Sequence, residues 1–475
     1  MRALFKYINV VLQQMLGEEL DAKIKHYFLT GAYKSIVMQG SIALLTFFTA
    51  LFIARVTGDT GFGIYTTVFT WISIISVGAT LGLDDLLLKQ LPIYHENKNA
   101  SKIRGILSWS NWLGLSFGLL CTIILLLLAN FSGIETLNRY VDYFFWAAWV
   151  IPLFVLMHIN QAALRGLHLF GWGQFAEKFV QPFSFFLILL LFYVLQDYEL
   201  TDEYAILART TSFLITAIVA LFLLFKFTAV YKKETALPSK LEITNTQAGD
   251  NKASYEIKYW WGSCRYFAIT SLLYIINTRI DILFLSLYQI PEAEIGYYNA
   301  ALKLSDMALI PFAVLYTVTA PMFSTLYANN KQKELQVFFT KTTRLACFII
   351  TIILLVLVLG GEWFLGLFGE NFKTGYSILL ILCVTKFVHV FVGPVNYLLM
   401  MVNLEKEATW VLLASVLLTM GLHTIWIPLY GIEGAGCATL VGLLLFEVLV
   451  SWLAYKKAGI VPTVLGRFFF RKDKF

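Results

Sequence analysis

Twelve apolar stretches, each near the length a helix needs to cross a bilayer, alternate with short polar loops along the 475 residues. A hydrocarbon core of about 30 Å takes roughly 20 helical residues. The expected spans are residues 35–55, 64–87, 106–130, 143–163, 179–196, 205–227, 259–288, 297–320, 339–359, 376–402, 408–428 and 435–455. In lipid, backbone N–H and C=O groups must be satisfied internally, and these unbroken apolar runs read as helices rather than barrel strands. The expected class is an all-α polytopic membrane protein with 12 transmembrane helices. Composition agrees: apolar residues make up 59% of the chain and charged ones 14%, more apolar surface than a soluble fold of this size can hide.

Basic residues are unevenly shared between the two sets of loops. One side carries 27 Lys and Arg, the other only Arg55, Arg139, Arg209 and Lys373. The positive-inside bias makes the richer side cytoplasmic, with both termini on it. The opposite loops are acidic, with Asp197, Glu199, Asp202, Glu203, Glu292 and Glu294. The net charge of +6 follows from this loop asymmetry and calls for no nucleic-acid partner.

The chain divides into five parts. Residues 1–31 carry Leu4, Phe5, Ile8, Leu12, Met15 and Leu16 at helical spacing, which fits an amphipathic cytoplasmic segment rather than a cleaved signal peptide. Residues 32–227 form an N-lobe of helices 1–6, and 259–455 a C-lobe of helices 7–12. Between them, residues 228–258 lack an apolar period and read as a cytoplasmic linker; residues 456–475 form a basic tail. A shift of 233 residues lays Gly63-Ile64-Tyr65 on Gly296-Tyr297-Tyr298, as a parallel duplication would.

No enzymatic motif survives its context. Gly171-Trp172-Gly173-Gln174-Phe175-Ala176 matches GxGxxA but falls in a short loop between membrane helices, with no strand before it. There is no Walker A sequence and no HExxH, and the five cysteines are scattered, so no enzyme, cofactor, metal or disulfide is expected. Gly78-x-x-x-Gly82 and Gly114-x-x-x-Gly118 permit close helix contact, but glycine pairs at this spacing are common background.

The informative residues are the charges left in the spans. A charge at the bilayer centre costs on the order of 3 kcal/mol, so it faces a cavity or a partner. The cations are Lys34, Arg265, Arg279, Lys303 and Lys386; the acids are Asp84, Asp85, Asp281, Asp306 and Glu447. The helix directions put Arg279, Lys303 and Lys386 at similar depth, with His389 near Lys386. They are the expected substrate-binding wall, with Arg265 nearer the cytoplasmic end. The plainer alternative pairs Lys303 with Asp306, three residues on along one face. Asp84 and Asp85 read as the cytoplasmic end of helix 2. Asp281, Asp306 and Glu447 are candidates for coupling an ion, Glu447 equally for a packing contact. Asn160 and Gln161, with Gln39, Asn111, His158 and Gln181, either face a cavity or bond neighbouring helices.

Several stretches resemble a known family. Gly61-Phe62-Gly63-Ile64-Tyr65, Leu81-Gly82-Leu83-Asp84, the Leu164-Arg165-Gly166-Leu167 exit, Asp281 through Leu285, Glu294 through Ala301 and Ala320-Pro321-Met322 are similar to the Wzx-type oligosaccharide flippases. That superfamily includes the MATE exporters and the lipid II flippase. The resemblance implies two six-helix bundles around a central cavity in the bacterial plasma (inner) membrane. It implies turnover of an undecaprenyl-pyrophosphate-linked oligosaccharide, with polymerase and glycosyltransferases as partners alongside membrane lipids. Its cationic-cavity theme maps onto Arg279, Lys303 and Lys386, and less directly onto Arg265. Two other readings remain open: a MATE-like cation/drug antiporter, and a non-transporting scaffold for polysaccharide assembly.

Overall fold

The computed structural model describes residues 22–97, 99–131, 138–197, 200–236, 255–313, 331–402 and 404–464, with positions 315, 319, 323, 326, 327, 329 and 466. Among these every regular element is helical. In chain order they are α1 Ala22–Ala79, α2 Leu83–Glu96, α3 Ala100–Phe131, α4 Val141–Ala147, α5 Val150–Gly166, α6 Phe170–Phe175, α7 Gln181–Leu195, α8 Asp202–Ala236, α9 Ile257–Leu287, α10 Glu292–Met307, α11 Gln332–Gly366, α12 Tyr376–Val392, α13 Val395–Met401 and α14 Glu405–Leu453. The first part of the amphipathic segment, linker residues 237–254, the Ala320-Pro321-Met322 motif and the end of the basic tail lie outside the described residues.

Among the described residues, nine helical stretches are long and apolar enough to cross a membrane. Two of them are too long to be single crossings. Within α1, Gly58 leaves helical geometry at φ 75° and ψ −174°. Within α14, Gly431 does so at φ 58° and ψ −134°. Ser415 Oγ donates to the Gly442 carbonyl at 2.8 Å across that break. In a straight helix the two would stand roughly 40 Å apart, so α14 folds back on itself at Gly431. The helix expected over 297–320 opens with α10.

Helix 2 ends earlier than expected. Leu81 and Gly82 take left-handed φ angles of 52° and 68°, and a new helix, α2, begins at Leu83. Asp84 and Asp85 are therefore not the end of helix 2 but the first turn of α2, where carboxylates complement the positive helix terminus. The GxGxxA sequence is helical rather than looped: α6 runs through a π-helical turn, Ala176–Val180, into α7. The first residues of the expected linker likewise continue α8 to Ala236.

Two compact units emerge. One holds the chain up to Arg55 and from Ala293 onward; the other is Val56–Glu292. This grouping differs from sequential halves joined at the linker. The first half of α1 goes with the C-terminal helices, where Arg55 Nε donates to the Leu367 carbonyl at 2.5 Å and Nη2 to that of Gly366 at 3.0 Å. The α9 helix goes with α2: Trp260 and Cys264 join the core that includes Leu83, Leu86 and Leu87.

Packing inside the Val56–Glu292 unit uses glycine as a surface. A Cβ on Gly114 would collide with Ile159 and come within 2.9 Å of Val155, and one on Gly118 would lie 3.0 Å from Pro152 Cα. This GxxxG pair is thus the contact face of α3 against α5, against the background expectation. Gly78 meets only Leu272, at 3.7 Å. Outward faces are apolar: on α11, Phe348, Ile352, Leu355 and Leu359 form one exposed stripe. Such a stripe in water would invite association, whereas acyl chains solvate it.

Candidate functional site

In the unit that includes α10 to α14, charges converge on α12. Its sequence alternates apolar turns with Lys386 and His389, three residues apart and therefore on one face. Lys386 Nζ lies 2.7 Å from Asp306 Oδ1 near the end of α10, the lysine side chain 17% exposed and the aspartate 51%. The acid that the plainer alternative gave to Lys303 thus meets the cation of another helix. Lys303 is half-buried one turn before Asp306.

One turn along, His389 Nδ1 and Glu447 Oε1 share a hydrogen bond of 2.6 Å, with the Glu447 side chain 3% exposed. Phe312 covers the imidazole with its ring centre 5.0 Å away. A carboxylate so enclosed is stable as an anion only beside a proton donor or a cation. The arrangement places two acid–base pairs on adjacent turns of one helix, each joining a more buried partner to a more exposed one: Lys386 to Asp306, and Glu447 to a partly exposed His389.

The Val56–Glu292 unit holds the remaining candidates. Arg279 is half-buried on α9, and Asp281 is buried two residues later. Arg265 is exposed nearer the start of that helix and stacks 5.0 Å over Tyr266. Asn160 and Gln161 are fully enclosed in α5. Asn160 Nδ2 donates to the Leu156 carbonyl at 2.7 Å, and the Gln161 amide, oriented by its neighbours, bonds both the Glu177 carboxylate at 2.8 Å and the Glu177 N–H at 3.2 Å. The Gln161 amide thus bonds a neighbouring element, whereas Asn160 bonds back to its own helix. The three central cations are divided between units: Arg279 in one, Lys303 and Lys386 in the other.

Two polar clusters hold the ends of this unit's helices. At one, Glu292 bonds Arg139 and, at 3.2 Å, the Tyr140 hydroxyl. Burial and the Glu292 charge push the Tyr140 phenol up to about 12, so it remains a donor. At the other end, Glu256 meets Lys102 at 2.6 Å and the Tyr94 hydroxyl at 2.9 Å, and Trp260 Nε1 donates to that hydroxyl at 3.0 Å. The bond from Lys102, then that from Tyr94, hold the Glu256 carboxyl below its ordinary pKa.

Two basic residues assigned above to loops are on helices. Arg55 lies on α1, and Arg209 on α8, inside the stretch Asp202–Phe227. The Arg209 guanidinium is surrounded by Phe185, Phe213 and Phe69, at 4.8, 5.2 and 6.0 Å from their ring centres. The sequence held a signal: Phe213 follows Arg209 by four residues, one turn along the same face.

Comparison with known proteins places this architecture. No curated protein matches the sequence. The solved structure of an inward-facing multidrug resistance MATE family transporter of the MOP superfamily is 14% identical, covering 89% of this chain and 98% of its own, with a TM-score of 0.71. A MOP superfamily transporter from Pyrococcus furiosus gives 14% identity, coverage of 90% and 94% and a TM-score of 0.61. The lipid II flippase MurJ, inward closed, gives 14% identity, coverage of 89% and 87% and a TM-score of 0.66. These neighbours share the fold. Residues 28–327 match the family described as polysaccharide biosynthesis protein, and with that match over most of its length the chain belongs to this family of Wzx-type membrane flippases.

Proposed function

We propose that the protein turns over an undecaprenyl-pyrophosphate-linked oligosaccharide, from the cytoplasmic to the outer leaflet of the bacterial plasma membrane, by alternating access. Both termini are cytoplasmic, and the product feeds polymerases and glycosyltransferases of surface polysaccharide assembly. The family match over residues 28–327 carries this reading. The charge chemistry supports it: a diphosphate leaves water only for a site that offers cations, while a polyprenyl chain stays in lipid.

Lys386 has the geometry of a cation that changes partner. It is mostly buried, whereas Asp306 is half exposed. Water or an arriving phosphate can replace the carboxylate without leaving the lysine uncompensated. His389 and Glu447 supply a second acid–base pair one turn away, its carboxylate buried and its imidazole partly exposed, suited to coupling a proton or a cation, with Asp306 and Asp281 as the further acids. Nothing in this scheme calls for a cofactor or a bond-breaking step.

The test is flipping of a labelled lipid-linked oligosaccharide in proteoliposomes. Lys386→Gln should lower the rate roughly tenfold at normal abundance, the scale of one lost charge-assisted contact. If the Lys386–Asp306 pair only braces the fold, Asp306→Asn added to Lys386→Gln should restore wild-type flipping. Wild-type rates in a triple Gln variant of Arg279, Lys303 and Lys386 would sink the cationic mechanism and favour the scaffold reading. Uptake of organic cations without lipid flipping would favour the antiporter.

A further inference from the structure

The end of α14 carries cations that the proposed transport leaves unused. There the helix passes into a π-helical turn, Ala454–Ala458, which holds Tyr455, Lys456 and Lys457 and stops at Gly459 with a left-handed φ of 70°. Because α14 folds back at Gly431, this end meets the helix start, and Lys457 pairs with Glu407. Lys456 instead stands over the Trp452 ring, its ammonium 4.8 Å from the ring centre. A π face attracts the charge but offers no lone pair to the three N–H donors. The rings around it are exposed: Trp452 by 56%, Tyr455 by 50% and Trp410, one turn beyond Glu407, by 71%.

The segment after Gly459 is tied down beside that end. Gln336 on α11 holds Val461 twice, its Oε1 accepting from the Val461 N–H at 2.7 Å and its Nε2 donating to the carbonyl at 3.0 Å. Three residues on, the Val464 carbonyl accepts from Arg344 Nε at 2.8 Å, and its N–H donates to the Phe391 carbonyl at 3.1 Å. Gly466 is still beside this turn, where a Cβ would lie 2.3 Å from the Val461 carbonyl oxygen. The sequence that follows reads Arg467-Phe468-Phe469-Phe470-Arg471-Lys472-Asp473-Lys474-Phe475, four cations and four phenylalanines with one acid. Cations interleaved with aromatic rings next to a spanning helix suit the level at which acyl chains meet headgroups.

We propose that the end of α14 and the tail that follows it form a docking surface for anionic phospholipid of the cytoplasmic leaflet. Lys456, with Arg467, Arg471 and Lys472 of the tail, takes the headgroup phosphates, and Trp410, Trp452 and Tyr455 stand at the boundary with the acyl chains. By the basic-loop asymmetry this end is cytoplasmic. Rings half exposed on a spanning helix are solvated by lipid, so the anion that reaches Lys456 is one that lipid carries. A free phosphate ion brings no apolar part to cover those rings. Such docking depends on the topology and not on which molecule is flipped.

The experiment is native mass spectrometry of the full chain released from detergent micelles that hold equal amounts of phosphatidylglycerol and phosphatidylcholine. Retained phosphatidylglycerol should exceed phosphatidylcholine roughly fivefold or more, the scale of a cation at an anionic surface. Lys456→Gln should cut that ratio about threefold, and Lys456→Arg should keep it. Arg467→Gln, Arg471→Gln and Lys472→Gln together should bring it close to parity. Equal retention of the two lipids by the wild type overturns the proposal. So does a wild-type ratio in Lys456→Gln or, if that variant misfolds, in the triple tail variant. Loss of the enrichment in inorganic phosphate, but not in sodium chloride of equal ionic strength, marks a free-anion site and overturns the lipid assignment. No step of the assay requires flipping, so each of these failures leaves the transport proposal standing.

Discussion

Gly82 shows how much one residue decides here. It takes φ 68° where α1 gives way to α2, a conformation that costs an L-residue roughly 1–2 kcal/mol. Its missing side chain is also space that α9 fills: a Cβ would lie 2.6 Å from both Ala268 N and Phe267 Cβ. Gly82→Ala should therefore destabilise by on the order of 2–4 kcal/mol, the strain and overpacking terms together. The check is thermal unfolding in detergent beside Gly262→Ala, a position with nothing within 4 Å of the added Cβ. Equal melting temperatures for the two variants would show that the loop relaxes around the methyl group. Gly82 also lies in one of the stretches that resemble flippases. The physical content of that stretch is this turn and this contact rather than chemistry.

At the scale of elements, two glycine pairs with identical spacing do different work. Gly114 and Gly118 set the approach of α3 to α5, whereas Gly78 makes only an ordinary contact with Leu272 and Gly82 makes a turn. Gly114→Leu should separate α3 from α5 and lower membrane abundance severalfold, while Gly78→Ala should be tolerated. Fluorescence size-exclusion profiles of tagged variants distinguish these outcomes, and a normal profile for Gly114→Leu would remove the packing role. The α12 helix makes a related point about polar groups. Its Lys386 and His389 reach to α10 and α14 respectively, so one face of a single helix ties together two others. Hydropathy alone showed that α12 carries charge, but not which neighbour answers it.

For the molecule as a whole, the basic-loop asymmetry gives a test independent of any site. Cysteines placed at the exposed positions Asp197 and Gln289 should react with an impermeant maleimide added outside intact cells, and those at Asn97 and Lys331 only after permeabilisation. Outside labelling at Asn97 would reverse the topology. Moving Arg55 and Arg209 from loops to helices leaves the asymmetry standing, since both came from the poorer side. The two compact units add that chain order and spatial grouping diverge: the first half of α1 and the whole of α9 each pack with helices of the other sequential half.

The helical class and the long apolar spans were legible without coordinates, because bilayer thickness and backbone hydrogen bonding constrain every crossing locally. The family was legible too, through short stretches such as Gly61 to Tyr65 and Leu81 to Asp84. Tertiary structure decided the rest. Asp306 turned to Lys386 on another helix, a choice set by the rotation and register of packed helices, to which hydropathy is blind. Gln161 found Glu177, a partner sixteen residues away that no local pattern announces. Arg209 looked like a loop residue while only its own segment was considered. Three rings contributed by α1, α7 and by α8 itself make it a cation in an aromatic setting. Length and apolarity are local properties that a sequence carries openly, whereas the partner of a membrane charge exists only once distant helices have met.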